Sequence, residues 1–249
     1  ASTRGFKQIT LLGQNVNSYC HEGWDFAKLI AALADTPGID RVRFTSPHPK
    51  DFPLALIDAI ATHPKICKHI HLPLQAGSDR ILELMGRTYT GAEYLALVDR
   101  IRSRIPDIVL TTDIICGFCS ESEEDFQATH RIIEQTQLDS AYIFKYSERK
   151  HTIAARKYAD DVPDRVKGMR VAQLLETQRR ITLERNRRYI GKAMQVLVER
   201  EATRSSTQAM GKTDGNITVV WEKGTGDFRP GTLITKQIFD ASAATLYGE

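Results

Sequence analysis

Uncharged hydrogen-bonding side chains gather at the places where apolar runs stop. Ile9, Leu11 and Leu12 read as a buried strand that Gly13 breaks, and Gln14, Asn15, Asn17 and Ser18 follow at once. The pattern recurs where residues 42–44 run into Thr45-Ser46-Pro47-His48-Pro49, and where residues 69–72 run into Pro73-Leu74-Gln75-Ala76-Gly77-Ser78. A fourth apolar segment, 109–115, carries Asp113. Amides, hydroxyls, an imidazole and a carboxylate are a set suited to holding a polar, partly charged small molecule. Other chemistries fit less well. No Walker loop, dinucleotide-binding glycine fingerprint or Gly-x-Ser-x-Gly elbow occurs. His48, His69 and His71 raise a zinc site, but no nearby Cys or Glu completes a convincing set. Cys116-Gly117-Phe118-Cys119 has redox or zinc spacing without the strand context of the first or the second pair of the other.

The elements that must position these residues alternate between the two periodicities. Strand-like segments at 8–12, 42–44, 69–72, 109–115 and 141–146 are separated by helix-like ones at 24–33, 52–61, 81–85, 92–101 and 121–136. Ser120 with Glu123 reads as a capping box for the last of these helices. Strands alternating with helices imply parallel pairing through right-handed crossovers, which collects the polar strand ends on one rim. Asp161-Val162-Pro163-Asp164 starts a long helix that runs to about residue 189, with Gly191 beyond it. Val166, Met169, Leu174, Leu175 and Ile181 give it an apolar side, and Arg179, Arg180, Arg185, Arg187 and Arg188 crowd its end, so it is expected to link two domains. After Gly191 the period becomes two, at Met194, Val196 and Val198 and again at Ile217, Val219 and Trp221. Asp214-Gly215 and Arg229-Pro230-Gly231 read as turns. Short antiparallel strands over about sixty residues predict a small barrel or sandwich, a class that often binds oligonucleotides. The expected division is an α/β unit over 1–160, a linker helix over 161–190 and an all-β unit over 191–249.

Composition narrows the class. A chain of 249 residues, 41% hydrophobic and 26% charged, has the composition of an ordinary globular protein with one sizeable core and an appendage. No apolar run approaches the roughly 18 residues of a membrane span, so no membrane partner is expected. Four scattered cysteines agree with a reducing compartment, and the expected location is cytoplasmic. The net charge of +3 matters less than the arginine cluster, which suits either nucleic acid or a solvated helix face.

Taken in order, the motifs resemble those of the radical-SAM methylthiotransferases. The likeness rests on Gly13-Gln14-Asn15-Val16-Asn17-Ser18-Tyr19, Thr45-Ser46-Pro47-His48-Pro49 and His71-Leu72-Pro73-Leu74-Gln75. It continues through Met85, Arg87, Tyr89-Thr90, Thr112-Asp113-Ile114-Ile115 with Gly117-Phe118, and Glu123-Glu124-Asp125-Phe126. The final segment, with Gly211-Lys212-Thr213-Asp214-Gly215-Asn216, resembles the family's TRAM domain. Residues 13–19 are the most discriminating. They resemble the branch that modifies isopentenylated adenosine beside the tRNA anticodon, the tRNA-2-methylthio-dimethylallyladenosine synthases. Branches acting on threonylcarbamoyl-adenosine or on a ribosomal protein are the alternatives. Cys119 and Ser120 stand where Pro-Gly is usual, Ala76 where Ser is, and Glu148, His151 and Ile153 where Pro, Gly and Pro are frequent.

The resemblance implies a partial radical-SAM (β/α) barrel followed by a TRAM-like β-barrel. It further implies that a reduced 4Fe-4S cluster cleaves S-adenosylmethionine, and that the resulting radical abstracts hydrogen from carbon 2 of adenine before sulfur and methyl are installed. The cofactor and substrate rim would then be Gln14, Asn15, Ser46, Gln75, Ser78, Arg87 and Asp113. Arg185, Arg187, Arg188 and Lys212 would meet tRNA at its anticodon stem-loop. The sulfur donor has no signature here. No Cys-x-x-x-Cys-x-x-Cys triplet, with which the family binds that cluster, occurs, and the family's second cluster belongs to an amino-terminal domain. The chain therefore reads as a parent enzyme cut just after that triplet, without its amino-terminal domain, inactive alone and with residues 8–12 as a sheet edge. A non-catalytic RNA-binding module and a zinc-dependent barrel hydrolase using His48, His69 and His71 are the competing readings.

Overall fold

The computed structural model describes residues 4–45, 47–50, 52–202, 205–224 and 229–249, so Ser46 lies outside the described residues. The first strand, β1 (Gln8–Leu11), leads through a 3-10 turn at Val16–Ser18 to a small hairpin, β2 (Cys20–His21) and β3 (Trp24–Asp25). Helix α1 (Phe26–Ala34) begins two residues later than its apolar spacing implies. Trp24 and Asp25 pair with His21 and Cys20, and the Asp25 carboxylate caps the helix by accepting the Lys28 N–H. Next come β4 (Arg41–Phe44), α2 (Leu54–Thr62), β5 (His69–His71), α3 (Asp79–Leu84) and α4 (Gly91–Arg104). They are followed by β6 (Val109–Cys116), α5 (Glu123–Thr136) and β7 (Ser140–Lys145).

All five long strands of this unit are parallel. β1 pairs with β4, β5 with β6 and β6 with β7, while Val42 bridges to Ile66 and joins β4 to the segment entering β5. Among the described residues β1 pairs on one side only, with β4. Strand alternation separates two faces. Ile70, Leu110 and Ile114 point into a core shared with Ile30, Leu56, Ile60 and Tyr94 of the helices. Their neighbours His69, His71, Thr111 and Asp113 line the inner face.

The cap of α5 differs from expectation. Ser122 and Asp125 form the capping box, two residues after the expected pair. Ser120 cannot serve because its backbone is left-handed (φ 63°) and its N–H and hydroxyl both donate to Asp161.

A short helix, α6 (Ile153–Lys157), precedes the long α7 (Asp164–Arg187), whose Leu174 and Ile181 join the main core. Five strands then close a barrel: β8 (Ala193–Glu201), β9 (Gln208–Thr213), β10 (Thr218–Glu222), β11 (Leu233–Ala241) and β12 (Leu246–Gly248), in the order β10-β12-β11-β8-β9. Its own core is Val196, Val198, Ala209, Val219, Trp221, Ile238 and Leu246. Strand β9 has a weak period because Gly211 occupies an inward position, where a Cβ would strike the Leu197 carbonyl.

The barrel docks under the parallel sheet through backbone carbonyls. Arg41 donates to Lys212 O at 2.7 Å and to Gln195 O at 3.0 Å, and Arg43 donates to Thr213 O at 2.7 Å. Asn186 of α7 donates to Ser242 O at 2.8 Å. No helix among the described residues is long and apolar enough to cross a membrane.

Candidate functional site

The loops at the carboxyl ends of the strands are built by a few backbone straps. Asn17 grips the neighbouring loop twice: its Nδ2 donates to His48 O at 3.1 Å, and its Oδ1 accepts the His48 N–H at 2.7 Å. Gln14 is left exposed, and Asn15 Oδ1 is buried with no hydrogen-bond partner among the described residues. A buried amide oxygen without a donor is costly, so Asn15 is poised for a ligand N–H or O–H. Gln75 is held by its backbone in the left-handed region (φ 66°), with its N–H on Asp113 O at 2.8 Å and its O taking the Ile115 N–H at 2.9 Å. That locks the loop after β5 onto β6.

The other rim candidates have different surroundings. Ser78 caps α3 and donates to Asp125 Oδ1 at 2.5 Å. Asp125 is in turn bound by Arg80, and although burial pushes its pKa up, these hydrogen bonds hold it well below the usual carboxylate range. Arg87 follows α3 near Tyr89, with Nε buried and without a partner among the described residues. Tyr89 holds the Pro73 and Leu74 carbonyls through its hydroxyl, and burial pushes that hydroxyl up to about 12.

Asp113 belongs to a relay on the inner face. His71 Nε2 lies 3.1 Å from Asp113 Oδ2, His71 Nδ1 lies 3.0 Å from Thr111 Oγ1, and His69 Nε2 lies 3.2 Å from the same hydroxyl. One proton arrangement satisfies every member: His69 Nε2–H donates to Thr111, Thr111 donates to His71 Nδ1, and His71 Nε2–H donates to Asp113. His69 is pushed down to about 3, first by burial and then by Arg43, His71 and Lys212, so it is neutral near pH 7. The relay lines a cavity of about 580 Å³ that runs to the loop between β9 and β10.

A second buried cluster fixes the loop after β6. The Gly117 N–H donates to Glu121 at 3.0 Å, and Arg170 of α7 reaches Glu121 at 2.8 Å. Gly117 is left-handed (φ 73°), and the Lys167 stem lies where a Cβ would stand. Cys116 is buried here, and burial together with Glu121 pushes its thiol up to about 12, the opposite of a reactive or metal-ready cysteine.

The arginine cluster is divided. Arg185 grips buried Asp139 with Nε at 2.6 Å and Nη2 at 3.1 Å, and Arg188 adds a contact at 3.3 Å. Arg187 is exposed. Lys212 lines the cavity and donates to Thr218 Oγ1 at 2.7 Å. Sequence reasoning missed Arg41, Arg43, Tyr142 and Asn186. For Tyr142 the available signal was its register opposite Asp113 on a strand pair with a polar inner face.

The model of the Radical SAM superfamily matches residues 2–133. The chain belongs to the radical SAM superfamily. The fold agrees, because coproporphyrinogen III oxidase (HemN) from Escherichia coli, described as a radical SAM enzyme, superposes with a TM-score of 0.55 at 14% identity over 88% of this chain and 55% of that one. Among sequences, the tRNA-2-methylthio-N(6)-dimethylallyladenosine synthase of Chlorobium chlorochromatii is 47% identical over 98% of this chain and 55% of its own length. The enzyme of that name from Porphyromonas gingivalis is 47% identical over 99% of this chain and 54% of its own length. These likenesses support the branch that the rim motifs resemble. The chain spans about half the length of the curated relatives it matches.

A radical SAM protein implies S-adenosylmethionine and a 4Fe-4S cluster. The polar rim, with its unpartnered Asn15 Oδ1, fits the first. Residues of this chain do not fit the second: Cys20 is exposed, Cys67, Cys116 and Cys119 are buried, and no group of three or more His, Cys, Asp or Glu among the described residues can hold a metal.

Proposed function

We propose that this chain is the cofactor- and substrate-holding part of a tRNA methylthiotransferase that modifies carbon 2 of isopentenylated adenosine beside the anticodon. The observation that carries the reading is identity of 44–47% to synthases of that name across nearly the whole chain. In this reading S-adenosylmethionine, cleaved at a cluster that this chain's residues do not ligate, supplies the carbon radical that abstracts hydrogen. This chain binds and orients. Gln14, Asn15 and Gln75 form the rim for the cofactor, Asp113 accepts a polar group in the lumen, and Arg87 offers a guanidinium fork for a carboxylate or phosphate. Ser46 belongs to the same rim by its motif, and Ser78 acts through α3 and Asp125. Residues 1–160 form the half-barrel unit, 161–190 the linker helix and 191–249 the RNA-binding barrel, acting on tRNA in the cytoplasm. Arg187, with Arg188 beside it, offers the exposed positive charge for RNA phosphates.

The test uses the full-length parent enzyme with both clusters reconstituted, an anticodon stem-loop bearing isopentenyladenosine, and mass spectrometry of the digested nucleosides. The methylthio product is expected from the unaltered enzyme, and Asn15→Ala and Asp113→Asn should each reduce its rate at least about tenfold while stem-loop binding persists. Absence of product from the unaltered enzyme, or full rates in both variants, would refute the assignment.

A further inference from the structure

Lys212 stands in an unexpected place. Its position at the end of β9 suits an outward, RNA-facing turn, but Arg41 and Arg43 hold that end of β9 beneath the half-barrel by its carbonyls. Lys212 therefore lines the lumen cavity together with His69, His71, Asp113 and Tyr142. Burial lowers its pKa, and two of its three N–H donors meet Thr218 Oγ1 at 2.7 Å and Asn216 O at 3.4 Å. A half-buried ammonium with neutral partners gains most from an anion.

The rest of the cavity complements that anion site. Asp139 also lines it, but its charge is met by Arg185 and Arg188, so it does not oppose an anion. Asp113, held by His71, is the acceptor on the inner face of β6. Tyr142 is 55% exposed and its ring stands edge-on to His71, centroids 5.9 Å apart, which leaves an aromatic face open to a planar group. A volume of about 580 Å³ falls in the range of roughly 300–1,000 Å³ typical of small-molecule sites.

We propose that this cavity is a mononucleotide site whose floor is the β9–β10 loop. The phosphate lies on Lys212, the heteroaromatic ring lies against Tyr142, and an exocyclic amino group donates to Asp113. The small β-barrel then contributes to the ligand chamber itself and not only to an outer surface. In the working enzyme the occupant would be a nucleotide turned out of its RNA, and that part rests on the proposed function.

Binding to this 249-residue chain tests the site without any cluster. Adenosine 5′-monophosphate and adenosine are titrated by calorimetry at low salt, with melting temperature recorded for every variant. The nucleotide should bind about tenfold more tightly than the nucleoside, as one charge-assisted hydrogen bond predicts. Lys212→Met should bring that ratio to about one and leave adenosine affinity unchanged, while Lys212→Arg should restore it. Tyr142→Ala should weaken both ligands together. A ratio indifferent to Lys212→Met, or no binding of either ligand to the folded chain, overturns the proposal. A stem-loop titration in parallel separates the two claims: loss of stem-loop binding with the nucleotide pattern intact removes the RNA reading and keeps the site, and the converse removes the site alone.

Discussion

Replacing Arg185 by Ala should unfold the chain more readily, whatever it does to RNA. Asp139 is 5% exposed and accepts four donors: Arg185 Nε at 2.6 Å, Arg185 Nη2 at 3.1 Å, Arg188 Nη2 at 3.3 Å and the Leu110 N–H at 2.8 Å. Truncation removes both Arg185 contacts, the shortest of the four among them, and leaves a buried carboxylate with one longer charge contact and one amide. Breaking a buried ion pair costs about 3–5 kcal/mol, and the remaining Arg188 together with water entering the vacated space offsets part of that, leaving about 3 kcal/mol. For a chain of this size each kcal/mol moves the midpoint by roughly 2–4 °C, so calorimetry should find Tm lowered by about 6–12 °C. Arg187→Ala removes an exposed side chain and should stay within about 0.5 kcal/mol. An Arg185→Ala chain that melts with the unaltered one would show that Asp139 is solvated or neutral in the native state, and the argument from its burial would fail. A combined Arg185, Arg187 and Arg188 substitution thus mixes two effects, and Arg187 is the position at which RNA contact is tested cleanly.

Two further outcomes follow from buried groups. His69 titrates near 3 in the folded chain and near its ordinary 6.5 when unfolded, so below pH 6.5 the unfolded chain binds the extra proton and stability falls as pH drops. Urea unfolding should lose about 1.4 kcal/mol per pH unit from this group, about 2 kcal/mol by pH 5, and His69→Gln should flatten the profile by that amount; parallel profiles would contradict it. Gly211→Ala drives a Cβ into the Leu197 carbonyl of the adjacent strand and should cost roughly 3 kcal/mol or more, read as early loss of near-ultraviolet signal from Trp221; a melting curve unchanged from the parent would refute the close approach.

Much of the α/β unit was legible because its signals are local. The apolar run 109–115, the breaks at Gly13 and Pro73, and the start at Pro163 all report backbone preference within a few residues. The polar inner face was legible in part, since His69 and His71 share strand parity. What escaped depends on partners far along the chain. Arg41 and Arg43 alternate along β4 as solvent-facing residues do, yet they are 3% and 6% exposed, because carbonyls 171 and 170 positions away accept from Arg41 Nη1 and Arg43 Nη2. Arg185 looks like its exposed neighbours until Asp139 arrives from 46 positions away. The capping box was misplaced by two residues because Ser120 and Ser122 look alike in sequence, and only the left-handed turn at Ser120 separates them.

The way Arg41 and Arg43 hold the small barrel sets which parts of it are free to diverge. Both guanidiniums address main-chain oxygens of β8 and β9, which every residue supplies, so the joint is indifferent to the side chains those strands carry. Substitution can therefore reshape the outer face of the barrel, and with it whatever that face meets, without loosening the seat that keeps Lys212 beneath the lumen. The two surfaces of one five-stranded barrel are in this sense separately adjustable: the outer one by ordinary surface mutation, the inner one only through Lys212 and its loop.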